Sequence, residues 1–98
     1  MSSAAQLSVH EASEHLYEAL THHVGNLDLA ANDPLVIAIS EFGQRNREHD
    51  AEGIDRASRR VYEALTHHVG PRDLAANDPF VLALAEYGEA CRREGSKP

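Results

Sequence analysis

Apolar residues recur along this chain at helical spacing. Val9, Ala12, Leu16, Leu20 and Val24 fall three or four positions apart, so at 3.6 residues per turn they share one face. Ser8 and Glu11 form the S-x-x-E box that opens such a helix, and Gly25 closes it. The loop GNLDLAAN leads to Asp33-Pro34, a side-chain N-cap followed by proline at the first helical position, where its missing N–H costs nothing. A second helix starts there, with Leu35, Val36, Ile39 and Phe42 as its core stripe and Ile37 pointing the opposite way. The polar stretch QRNREHDAEG, residues 44–53, ends that helix and carries the connection. A third helix is expected over Ile54 to Val69, stopped by Gly70-Pro71, and Asp78-Pro79 opens a fourth, in which Leu82 takes the outward place of Ile37.

The second pair of helices repeats the first. Shifted by 45 positions, residues 13–44 overlay residues 58–89 with identity at 21 of 32 places, including YEALTHHVG and DLAANDP. Helical solenoids share this period but usually need at least about three units plus caps. Two units instead predict an all-α four-helix bundle built from a tandemly duplicated helical hairpin. It forms one domain over residues 1–98, with repeats at about 8–49 and 53–94. Glycine inside a helix costs about 1 kcal/mol relative to alanine unless close packing compensates, which marks Gly43 and Gly88 as helix-to-helix contact points, a helix end there being the alternative.

Charge and cysteine content narrow the function. Sixteen acidic residues against nine basic ones give a net charge of −7, which disfavours a protein that neutralises phosphates along nucleic acid or docks on anionic membrane. A single cysteine, Cys91, allows neither an internal disulfide nor a thiolate metal cage. No segment approaches the roughly 20 apolar residues of a membrane helix, and MSSAAQLSVHEASEHL lacks a basic stretch followed by an apolar core. These features predict a soluble, cytoplasmic protein.

Seven histidines supply the densest candidate chemistry. On the helical wheel His23 and His68 lie on the apolar faces of the first and third helices, and His22 and His67 at their edges. In an up-down-up-down bundle those two helices run parallel on one diagonal, so His23 and His68 would sit level. They could clasp a transition-metal ion or a haem iron, assisted by His22 and His67. Glu18 and Glu63 stand one turn before His22 and His67, a chelating spacing. The Glu-x-x-His motif of di-iron bundles is absent, because position i+3 is Thr21 or Thr66. Against the metal reading, a histidine in the last turn of a helix is also favoured by the free carbonyls and the helix dipole.

A second candidate is an interface. Ile37 and Leu82 point away from the core stripes, and a helix apolar on nearly every side needs a cover, which favours a C2 homodimer. Glu11, Glu14 and His15 of the first repeat become Arg56, Arg59 and Arg60 in the second, an acidic strip opposite a basic one that could set register or recruit a protein partner. Catalysis finds little support. Cys91, matched by Asn46, falls on a core face. Tyr17 and Tyr62 read as half-buried packing residues, Glu41 and Glu86 point away from the core, and Asp28 with Asp33 lacks calcium-loop spacing. No nucleophile elbow, phosphate loop or dinucleotide fingerprint is present. The expected function is a small acidic interaction or regulatory module that self-associates and has no catalysis of its own, with a metal- or haem-binding bundle as the alternative. Protonation of all seven histidines would cancel the net charge of −7, so association is expected to respond to acid between about pH 7 and 5.5.

Overall fold

The structure, a computed structural model, describes residues 7–24, 33–69 and 78–96, and the side chains of all of these except 22–24 and 69. Four helices are present among the described residues: α1 (Val9–Val24), α2 (Pro34–Arg47), α3 (Ala51–Val69) and α4 (Pro79–Gly95). The expected stops at Gly25 and Gly70-Pro71, and the loop containing Asp28, lie outside the described residues.

The helix starts follow their caps. Ser8 Oγ accepts from the Glu11 N–H, and the Glu11 carboxylate accepts from the Ser8 N–H, both at 3.1 Å, the reciprocal pairing of a capping box. Asp33 and Asp78 hold nearly the same extended conformation and accept from the N–H of Leu35 at 2.8 Å and of Phe80 at 2.9 Å. The third helix begins three residues before the expected Ile54, because Asp50 caps it by accepting from the Gly53 N–H at 3.0 Å.

Between α2 and α3 the turn occupies only residues 48–50. His49 takes φ 57° there, the left-handed conformation that usually falls to glycine at a helix end. Its N–H donates to the Asn46 carbonyl and that of Asp50 to the Arg45 carbonyl, both at 3.1 Å, so two carbonyls at the end of α2 are satisfied as the chain reverses.

The core obeys the repeat. Ala12, Leu16, Ala19, Leu20, Leu35, Ala38, Ile39 and Phe42 are buried, and so is each residue 45 positions later. Val9, Tyr17, Ile54 and Tyr62 pack half-buried against them, and Val36 is likewise half-buried.

The pairing of helices differs from a bundle of two self-packed hairpins. α3 lies along α2, α1 lies along α4, α2 packs against α4, and α1 meets α3 only lightly. Among the described residues the backbones of α1 and α2 do not pack together, nor do those of α3 and α4. The reason is visible at the glycines. A Cβ on Gly43 would lie 2.7 Å from Tyr87 Oη, and one on Gly88 would lie 3.0 Å from Phe42 Cε2, so each bare backbone admits the aromatic ring of the other helix. α2 and α4 therefore form the middle of the bundle, flanked by α3 and α1. No helix among the described residues is long and apolar enough to cross a membrane.

Candidate functional site

Among the described residues, Ile37 and Leu82 are the large hydrophobic side chains most open to solvent, at 53% and 56% exposure. Each sits in a shallow groove between a middle helix and its flanking helix. The α2–α3 groove has a volume of about 400 Å³ and an apolar floor of Pro34, Ile37, Ala38 and Ala64, rimmed by Glu41, Arg60, Glu63 and His67. The α1–α4 groove has about 330 Å³, a floor of Ala19, Pro79, Leu82 and Ala83, and a rim of His15, Glu18 and Glu86. Each residue of the second groove has its counterpart in the first at the 45-residue offset; His67 corresponds to His22, whose side chain lies outside the described residues. Amphipathic helices that cross side by side leave such a channel wherever the edge positions are small, and alanine fills that role at 19, 38, 64 and 83.

Each groove is bridged by a pair from facing helices. In one, Arg60 Nη1 donates to both oxygens of Glu41, at 2.8 and 3.0 Å. In the other, His15 Nδ1 stands 3.4 Å from Glu86 Oε1. Glu41 and Glu86 point away from the apolar stripe as expected, yet both become rim residues. Nothing in the sequence pairs 41 with 60 until α2 and α3 are known to be neighbours.

The remaining interface candidates lie apart from the grooves. Glu11 is engaged in its capping box, Glu14 lies 3.4 Å from His10, and Arg59 pairs with Asp55 at 2.7 Å on its own helix. Arg56 is exposed. Of these, Arg59 is thus neutralised by a carboxylate of its own helix.

The metal candidates divide differently. Glu63 and His67 come together on the α2–α3 rim, and Glu18 takes the matching place in the other groove. His68 is half-buried, its Nε2 3.3 Å from Asp33 Oδ1, so its ring ties the last turn of α3 to the cap of α2. The side chains of His22 and His23 lie outside the described residues. Among the described residues no three of the histidine, cysteine, aspartate and glutamate side chains gather where they could hold one metal ion, and α1 and α3 do not form a closely packed pair. The Asp33 carboxyl is held below its ordinary range, first by the Leu35 N–H and then by His68. A depressed carboxyl contributes stability above its unfolded-state value and loses it as pH falls through the folded-state value; Asp33→Asn therefore shallows the acid side of the stability profile.

Among the described residues the one fully buried polar side chain is Asn46, which donates to the Phe42 carbonyl at 2.7 Å and accepts from Arg92 Nη1 at 2.6 Å. Its repeat equivalent, Cys91, is equally buried and its thiol is pushed up in pKa by that burial. Compared with family models, with curated proteins and with solved structures, the chain gives no match.

Proposed function

We propose that this protein is a small helical interaction module of the cytoplasm that self-associates as a homodimer through the two grooves centred on Ile37 and Leu82, with no catalysis of its own. The observation that carries the reading is the exposure of these two equivalent aliphatic side chains, 53% and 56%, each over an alanine- and proline-lined floor. Burying such a side chain contributes about 1.5–3 kcal/mol, and a twofold dimer buries each contact twice. The rims add charged and polar groups within reach of a second copy: Arg60, Glu63 and Glu41 on one face, His15, Glu18 and Glu86 on the other. Such exposed pairs contribute only about 0–1 kcal/mol each and serve orientation more than affinity.

Light scattering or sedimentation tests this directly. The wild type is expected to have the mass of a dimer, and Ile37→Glu with Leu82→Glu is expected to dissociate to monomer at concentrations where the wild type stays dimeric, at unchanged helix content. A wild type that is monomeric at high concentration overturns the reading.

A further inference from the structure

The helix packing of this protein runs between its two repeats. α3 lies on α2, α1 on α4 and α2 on α4, so each helix is covered by helices of the other repeat. Polar contacts cross the same boundary: Arg47 to Glu94 and Arg92 to Asn46, each at 2.6 Å, and Arg93 to the Leu7 carbonyl at 2.7 Å. The rings of Tyr62 and Phe80, with centroids 5.9 Å apart, make a local contact inside the second repeat. A lone repeat leaves the apolar faces of both its helices bare, and the surface that fits them is another copy of the same unit.

The link between the halves is a three-residue turn, residues 48–50, closed by a left-handed His49 at φ 57°. A residue with a Cβ holds that conformation at a cost, and short strained hinges invite exchange of identical elements between chains. No proline lies between positions 35 and 70, so once the turn opens residues 34–69 can run as one helix. We infer that two copies of this chain exchange halves, α1–α2 of one closing on α3–α4 of the other with the same core, while each hinge straightens. Ile37 and Leu82 stay on the outside of that dimer, so this association uses a different surface from the groove-to-groove contact.

The Gly43 position provides the test. A Cβ there lies 3.2 Å from Cys91 Sγ and 2.7 Å from Tyr87 Oη; in a disulfide a Cβ sits about 3 Å from the far sulfur. Gly43→Cys with Tyr87→Phe therefore offers a bond between the halves, and adding Ile37→Glu with Leu82→Glu removes surface association. This protein is refolded at high concentration, its dimer fraction isolated, oxidised and run on a non-reducing denaturing gel. Exchange predicts covalent dimers. Monomers carrying an internal bond, or the lack of any dimer fraction, overturn it.

Hinge variants carrying only Ile37→Glu and Leu82→Glu besides decide the matter independently of the cysteine. Because each dimer opens two turns, His49→Gly, which relaxes the closed turn, weakens dimerisation by about 30-fold. Replacing Glu48, His49 and Asp50 together by alanine favours the continuous helix and strengthens it by about tenfold or more. A monomer–dimer equilibrium indifferent to both overturns the inference.

Discussion

Two equivalent corners of the bundle solve the same packing problem with different chemistry. Position 46 in the first repeat and position 91 in the second are both sealed from solvent. Both stand beside the glycine of the facing helix: Gly88 next to Asn46, Gly43 next to Cys91. Asn46 spends its amide on its own helix and its carbonyl oxygen on Arg92 of the other repeat. Cys91 needs no strong partner and fills its corner as a small apolar group. One corner thus fixes register through hydrogen bonds that must all be made, and the other chiefly through volume, with only a weak thiol contact to Tyr87. Leu35 against Phe80, Phe42 against Tyr87 and His15 against Arg60 extend the contrast.

The largest effect is expected where the repeats differ in bulk. Phe80 is fully buried and also meets Tyr62 edge to face, so Phe80→Ala costs about 4 kcal/mol, against about 3 for Leu35→Ala. Urea unfolding of the two variants measures the order, and a reversed order breaks the contrast. Next comes the corner itself. Asn46→Ala leaves Arg92 without its acceptor and opens a cavity, costing about 2 kcal/mol, whereas Cys91→Ala costs about 1. Equal losses on thermal unfolding would mean that the amide does no more than fill space.

Alkaline stability sharpens the comparison between Phe42 and Tyr87. Burial, aided by the neighbouring thiol, pushes the Tyr87 hydroxyl from its ordinary 10.0 up to about 12. A raised folded-state value means that the unfolded chain ionises first, so stability is intact below about pH 10 and falls as pH rises toward 12. Tyr87→Phe, which copies the first repeat, is expected to shallow that fall without abolishing it, because Tyr17 and Tyr62 are raised in the same direction by burial. Melting curves across this range check the slope. The smallest difference is at the groove rims: Arg60→Ala removes a two-pronged pair with Glu41 and costs up to about 1 kcal/mol, and His15→Ala costs less.

Much of the architecture was legible in the residues. The capping box at Ser8 and Glu11, the Asp-Pro starts of α2 and α4, the buried stripes and the outward Ile37 and Leu82 all follow from local chemistry and helical periodicity. The early start of α3 is not legible there, because a single aspartate at 50 gives a weaker start signal than Asp-Pro. Of the candidate site, the exposed aliphatics were legible, and so was the spacing of Glu63 and His67. The parts played by Glu41 and Glu86, and the contact Asp33 makes beyond its capping role, are not, since each involves a residue on a different helix: Arg60, His15 and His68.

The sequence by itself determined where helices start, which face of each is apolar, and that the second half copies the first, because caps act within a turn and periodicity is a property of one helix at a time. Only the tertiary structure decided which apolar face meets which. A stripe of leucine and alanine fits many partners, and the choice was settled by Gly43 and Gly88 letting Tyr87 and Phe42 close over them. That contact draws α2 and α4 together and makes each repeat the cover of the other.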